Sequence, residues 1–350
     1  MSYVSTRRFP SSTTLDAEGQ IGYVYKLAMS SDNRSLAIAT QDMSLRLVDV
    51  ETMQMSCQIK PAHDSTITDI KAVPLEVGGS GSIFISSSND GTCKVWDLRQ
   101  QVPIITTKLS PNTFDAPVYA AAVSRNGTCA ASCGTNISLF KFGVWRKYFE
   151  YTESHFDTVS CLDLDNQILV SGGEDGLINI YNTEDLVNED NGQCPIMTLN
   201  VGESVRSFCI GNGRLYSMST TESLSVWDPN TGTKVCPDID SIRSHPLIAS
   251  EENGWGYLIG MNRECSRLLA GNSQGTLVEF DCCSNFSPIC TFSTKHTGVI
   301  RSSVYLPDET LLTAGEDGYI YEWKLGTETV YQTEGKMRAN RFSNSNSRPY

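Results

Sequence analysis

An internal repeat constrains this chain more than any other feature. A short apolar run ending on an aromatic, or once a β-branched, residue recurs seven times. Trp96 ends NDGTCKVWD, Tyr181 ends EDGLINIYN, Trp227 lies in TESLSVWDP, Phe280 in SQGTLVEFD and Trp323 in EDGYIYEWK. Weaker members are Val48 in QDMSLRLVD and Phe140 in TNISLFK. The seven anchors are separated by 48, 44, 41, 46, 53 and 43 residues, close to the roughly 40–45 that four short strands and their turns occupy.

Each unit repeats one local order: a β-branched or aromatic run, a tight polar turn (often Asp-Gly), then a strand of period two that ends on the anchor. In the second unit these parts are 82–87, 89–91 and 92–97; in the last they are 310–314, 316–318 and 319–324. No stretch between them keeps a helical period. A lone four-stranded sheet of this kind cannot bury both of its faces, whereas seven arranged radially cover one another. The expected fold is all-β: a single seven-bladed β-propeller of four-stranded antiparallel blades over residues 1–334. The ring needs a closing strand. The candidates are 3–9 and 329–333, with the N-terminal one preferred.

Three of the four histidines occupy equivalent places. His63, His155 and His296 open their units 27, 20 and 21 residues before Asp90, Asp175 and Asp317, and Ser86, Ser171 and Thr313 lie four before each aspartate. This pattern, with the Asp-Gly turn and the Trp-Asp ending, resembles the WD-repeat family across about 20–325. The resemblance implies structural tetrads in which His, Ser/Thr, Asp and Trp form a hydrogen-bonded chain: His63–Ser86–Asp90–Trp96 and His296–Thr313–Asp317–Trp323. A third set, His155–Ser171–Asp175–Tyr181, has Tyr in the last place. Ser, His and Asp together also invite a catalytic-triad reading, but a triad is recognised by geometry and roles rather than by residue types. Recurrence in three units favours a buried network.

A narrower resemblance lies in the second half. VSGGEDGLINIYNTEDLVNED (170–190), GWGYLIG (254–260) and DETLLTAGEDGYIYEWK (308–324) are similar to the WD repeat-containing protein 89 family, although Ala314 stands where that family often has Gly. The resemblance implies a scaffold and little chemistry.

Bulk properties bound the function. The net charge of −13 argues against a folded surface that grips phosphate backbones. The 12 cysteines contain no C-x-x-C pair, so no zinc site is expected. Most lie in apolar strands and read as small buried hydrophobes in a reducing compartment. The N-terminus lacks the apolar core of a secretory signal, and no apolar run reaches the roughly 18 residues of a membrane helix. An intracellular protein, nuclear or cytoplasmic, is expected. Carboxylates are not paired at repeated inward positions, and Gly78-Gly79-Ser80-Gly81 lacks the Lys-Ser/Thr of a phosphate loop. No catalytic residue, metal or cofactor is therefore expected, and the function read is a non-catalytic protein-interaction scaffold.

Propeller loops carry variation and binding. The loops entering each unit and the turns bearing the aspartates share one face, with Asp64, Asn89, Phe156, Asp157, Glu174, Thr297 and Glu316 on it. An acidic rim with one aromatic suits a basic or mixed peptide. A run of acids at 184–190 marks the opposite face. Trp96-Asp97-Leu98-Arg99 resembles the W-D-x-R motif by which some WD-repeat proteins dock on the cullin-4 ubiquitin-ligase adaptor, which makes Arg99 a second candidate contact and a substrate receptor the alternative function. The tail 335–350 carries Lys336, Arg338, Arg341 and Arg348 and no acid. It is expected to be disordered, and it is the one place where nucleic-acid contact fits.

Overall fold

The computed structural model describes residues 3–10, 22–78, 80–100, 102–109, 116–184, 194–236, 239, 242–249, 256–292 and 296–325. They form seven four-stranded antiparallel sheets. Six blades use consecutive strands: 24–59, 67–108, 121–151, 159–200, 205–234 and 257–292. The seventh joins Ile300–Tyr305, Leu311–Gly315 and Tyr319–Leu325 to the N-terminal strand Tyr3–Pro10. That strand runs antiparallel to Tyr319–Leu325 from Tyr3↔Leu325 to Pro10↔Tyr319. The Arg8 guanidinium lies 3.5 Å from the centre of the Tyr319 ring. Arg7 pairs with Glu322 at 3.2 Å and donates to the Glu51 carbonyl of the first blade at 2.7 Å. The competing segment 329–333 and the basic tail 335–350 lie outside the described residues. Among the described residues the only helical element is the four-residue Leu75–Gly78, and no helix is long and apolar enough to cross a membrane.

The apolar core is divided among the seams between blades. Seven clusters of buried residues each join two neighbours. Every anchor faces backwards into the seam with the preceding blade. Trp96 packs on Leu47, Cys57 and Ile59 of the first blade, Tyr181 on Leu139 and Tyr151 of the third, and Val48 on Leu312 and Ala314 of the seventh. The residue before an anchor points the other way, as Val95 does into the seam with the third blade. Period-two alternation thus gives the third strand of each blade two apolar faces for two different neighbours. The weak anchors Val48 and Phe140 hold the same position, Val48 with less buried volume.

Two irregularities recur. The inner strands of six blades carry a bulge near their first residue, passing over Tyr25, Thr68, Ser160, Arg206, Ile259 and Arg301. A bulged residue leaves the ladder and is free to turn its side chain elsewhere. Several turn it to the next blade: Thr68 Oγ1 donates to the Val118 carbonyl at 2.5 Å, Ser160 Oγ to that of Val205, and Arg206 Nη2 to that of Leu258 at 2.7 Å. The Ile300 amide donates to Tyr257 Oη at 2.6 Å, and the Leu27 amide to Ser302 Oγ at 3.0 Å. A second bulge faces five anchors from the outer strand, at Thr6, Ser56, Ile104, Tyr148 and Ile289. Ile104 and Tyr148 are exposed on these outer strands.

The cysteines depart in one respect from the expected set of free thiols. Ten lie outside any disulfide, with Cys57, Cys93, Cys129 and Cys290 buried, and burial pushes the Cys129 and Cys161 thiols up to about 12. Cys209 and Cys265 are instead joined in a disulfide. Their separation of 56 residues hides the contact in the sequence, because it depends on how two neighbouring blades meet.

Trp323 is fully buried and donates from Nε1 to Thr313 Oγ1 at 2.7 Å. Trp323→Ala is expected to destabilise the protein by about 3–5 kcal/mol, the usual cost of truncating a buried aromatic. Urea unfolding of the purified variant measures this, and a loss below about 1 kcal/mol would remove Trp323 from the role of seam anchor.

Candidate functional site: the face of the aspartate turns

In each blade the inner strand runs down, and the second, third and fourth strands alternate. The turn between strands two and three therefore shares a face with the loop entering the next blade. On this face the structure brings His63, Ser86, Asp90 and Trp96 together. Trp96 Nε1 donates to Ser86 Oγ at 2.8 Å, Ser86 Oγ lies 2.7 Å from His63 Nε2, and His63 Nδ1 lies 2.9 Å from Asp90 Oδ2. With the indole donating to Ser86, the hydroxyl donates on to Nε2 and Nδ1–H donates to the carboxylate. The last blade repeats the arrangement: Trp323 Nε1 to Thr313 Oγ1, then His296 Nε2 at 2.8 Å, then Nδ1 to Asp317 Oδ2 at 2.9 Å.

The fourth blade differs. His155 meets Ser171 at 2.8 Å and Asp175 at 3.0 Å. Tyr181, expected in the last place, does not reach Ser171. Its phenolic hydroxyl extends past the ring edge, where an indole N–H would sit, and donates to the Ser154 carbonyl at 3.3 Å. The set there is three residues, not four.

The order Asp–His–Ser matches that of a hydrolytic triad, but the site cannot act as one. The Ser86, Ser171 and Thr313 hydroxyls are fully buried, as are the histidine side chains. In blades two and seven an indole also occupies the hydroxyl oxygen, so no substrate carbonyl can approach it. Among the described residues no group of three or more His, Cys, Asp or Glu is placed to hold a metal ion.

What the networks do is clamp backbone. Each aspartate also accepts the amide after its histidine: Asp64 to Asp90 at 3.0 Å, Phe156 to Asp175 at 2.9 Å and Thr297 to Asp317 at 3.3 Å. The entering loop is thereby fixed to the turn. Burial pushes the His63 ring below the usual imidazole value, outweighing the pull of Asp90. Burial would raise the Asp90 carboxyl, yet the bonds from His63 and Thr92 hold it well below the usual carboxylate range. Asp317 is lowered in the same way by His296.

Other blades use substitutes that the His-based pattern misses. In the first, Asp42 occupies the turn place of Asp90 and accepts from Thr40 (2.6 Å), Ser44 (2.7 Å), the buried Arg46 (2.9 Å) and Lys60 (2.9 Å). In the fifth, Trp227 Nε1 donates to Ser217 at 3.2 Å with no histidine behind it. In the sixth, Asn272 caps the turn and donates to the Ile248 carbonyl at 2.8 Å. Aligning the chain on Asp42 rather than on histidine would have found the first of these.

The expected surface residues fall into two groups. Asp64, Phe156, Asp157, Glu174 and Thr297 are exposed, and Phe156 stands out at 93%. Asn89 and Glu316 are half-buried. Asn89 turns its side-chain oxygen inward, and Glu316 is ion-paired with Arg301, so neither offers the free rim position expected of it. On the opposite face Arg99 is 58% exposed, with Nε and Nη2 gripping the Asp97 carboxylate at 2.8 and 2.7 Å. Of the acidic run at 184–190 only Glu184 is described.

The profile described as "WD domain, G-beta repeat" matches residues 55–97, 147–182 and 286–324. These segments end just after Trp96, Tyr181 and Trp323, and they contain the three histidine networks. The chain is a seven-bladed β-propeller with WD repeats in these three blades. It is 26% identical over 329 residues to WD repeat-containing protein GTS1 of Arabidopsis thaliana, covering 86% of this chain and 81% of the relative. It is 24% identical over 351 residues to the WD repeat-containing protein 89 homolog of Dictyostelium discoideum, covering 93% and 92%. A shorter match, 30% over 161 residues, is to the WD repeat-containing protein 55 homolog of the same organism, covering 45% of this chain and 37% of the relative. WD-repeat propellers are generally non-catalytic scaffolds that bind other proteins.

Protonation tests the clamp of this propeller. The unfolded His63 ring takes up its proton below about pH 6.5, and the folded ring only at lower pH. Unfolding then absorbs a proton, so stability falls as pH drops through 6.5. Asp90 and Asp317, lowered when folded, add a further loss only below about pH 4. The free energy of urea unfolding is expected to decline between pH 6.5 and 5 more steeply for the wild type than for His63→Gln. Equal slopes would mean that folding leaves the His63 proton affinity unchanged, and a shallower decline for the wild type would assign His63 a charged state in the fold.

Proposed function

We propose that this propeller is a non-catalytic protein-interaction scaffold whose recognition surface is the face of the aspartate turns, centred on Phe156. The observation that carries the reading is Phe156 itself. Phe156 is 93% exposed, and its backbone, which would be mobile on an ordinary loop, is tied through its amide to the Asp175 carboxylate. A large apolar group whose backbone is already fixed has less ordering entropy to lose when a partner covers it, which suits an interface anchor.

The surroundings select the partner chemistry. Glu153, Asp157, Glu174 and Glu203 are exposed on the loops and turns of the fourth blade and the entry to the fifth. The segments 152–158, 173–176 and 201–204 contain no Lys or Arg. A protein segment pairing an apolar side chain with one or more Lys or Arg fits this surface, with charge supplying approach and orientation. Docking of a cullin-4 adaptor through Arg99 is the weaker reading, because that guanidinium fork is already filled by Asp97.

Affinity purification of full-length protein beside Phe156→Ala, Asp157→Lys and Arg99→Ala separates the two. Partners are expected to be lost with Phe156→Ala and with Asp157→Lys, and retained with Arg99→Ala. For an isolated partner Phe156→Ala is expected to weaken binding by about 2 kcal/mol, roughly thirtyfold in Kd, with an unchanged melting temperature. Loss with Arg99→Ala alone would move the binding surface to the opposite face.

A further inference from the structure

The seven seams are not held alike. Histidine networks stand in the second, fourth and seventh blades, so the first and third blades, which lack them, each lie between two that have them. Only the fifth and sixth are neighbours that both lack one. The fifth is also the blade with the shortest outer strand, the two residues Thr233–Lys234.

The disulfide falls on this seam. Cys209 lies on the inner strand Val205–Gly211 of the fifth blade, and Cys265 in the hairpin between Tyr257–Met261 and Arg267–Gly271 of the sixth. Their Cα atoms are 6.5 Å apart, within the span of a disulfide. Gly211 permits the approach: a Cβ there would stand 2.5 Å from the Glu264 carbonyl oxygen and 3.0 Å from Cys265 Sγ. Cys265 is fully buried, while Cys209 is half-buried. Cys236 and Cys282 pack against the same apolar cluster.

We propose that Cys209 and Cys265 form a reversible thiol–disulfide lock on the seam between the fifth and sixth blades, exchanging with small disulfides of the glutathione class. In the locking direction the half-buried Cys209, as thiolate, attacks one sulfur of the small disulfide and releases one small thiol. Cys265, giving up its proton, then attacks the Cys209 sulfur of the mixed disulfide and releases the second. Two protein thiols and one small disulfide become one protein disulfide and two small thiols. Two electrons pass from the protein sulfurs to the small molecule, and the two protons pass to its thiols. Small thiols reverse the sequence. Locked, the seam gains a covalent tie; unlocked, it keeps its apolar packing and the hydrogen bond from Arg206 to the Leu258 carbonyl.

The test equilibrates full-length wild-type protein with graded ratios of reduced to oxidised glutathione, quenches with acid, alkylates with N-ethylmaleimide and maps all 12 cysteines by peptide mass spectrometry. Cys209 and Cys265 are expected to leave the alkylated pool together as one linked peptide and to return when reduced glutathione is restored, while the other cysteines stay alkylated. The oxidised protein is expected to melt several degrees higher than the reduced one, with no such difference in Cys209→Ser. Because the mapping uses wild type, it holds even if a variant folds poorly. Full alkylation of both cysteines at every ratio, linkage of either to Cys236, Cys282 or Cys283, failure of reduced glutathione to restore the thiols, or equal melting of both wild-type forms would overturn the lock.

Discussion

No blade of this protein is stable by itself, because each has two apolar faces and its own strands cover neither. The structure depends on the seam: seven interfaces, each filled from one side by an anchor residue pointing backwards. Anchor and seam are the same object seen at two scales, a residue at the end of a strand and a wedge between two sheets. Burial of such side chains is worth about 1.5–3 kcal/mol each, distributed around the ring rather than concentrated in a central core.

Packing alone would allow neighbouring sheets to slide. Polar contacts remove that freedom, and the blades achieve it by different chemistry. Indole, hydroxyl, imidazole and carboxylate run in series in two blades. The first blade gathers two hydroxyls and two cations on one aspartate, and bulged residues on the inner strands reach the neighbouring backbone. The result is a face whose loops are immobilised by buried bonds, and it is from this face that Phe156 projects. Rigidity of the loop and exposure of the ring have one cause: Asp175 accepts both the imidazole beneath and the Phe156 amide above.

Much of the fold was legible because it is local and periodic. The spacing of Trp96, Tyr181, Trp227, Phe280 and Trp323 marks the blades, and His63 to Asp90 or His296 to Asp317 is a spacing a reader can match. Features set by the meeting of two blades were not legible. Cys209 and Cys265 have no shared pattern; they meet because Gly211 lets a hairpin tip press on a neighbouring strand. Tyr181 reads as an aromatic equivalent to Trp96, yet the position of its polar atom sends it to a different acceptor. Glu316 and Asn89 look like rim residues in the sequence, and the bulge that aims Arg301 at Glu316 leaves no local signal. Composition located the surface; only geometry separated its free groups from its engaged ones.

The first strand of the chain and the last are one ladder, and that has a consequence for synthesis. Tyr3–Pro10 emerges first, but its partner Tyr319–Leu325 is made only after some three hundred further residues. Until then a growing arc exposes an apolar face at each end, and the waiting strand keeps an unpaired edge open to other chains. Joining ends so distant carries a loop-closure cost of order 5 kcal/mol, recovered only when both terminal seams close at once. Arg7 and Arg8 place charge on that early strand, a common protection for a lone edge. The same two side chains hold Glu322 and stack on Tyr319 in the closed ring, so charge that would disfavour pairing of a lone edge is engaged once the ring is sealed.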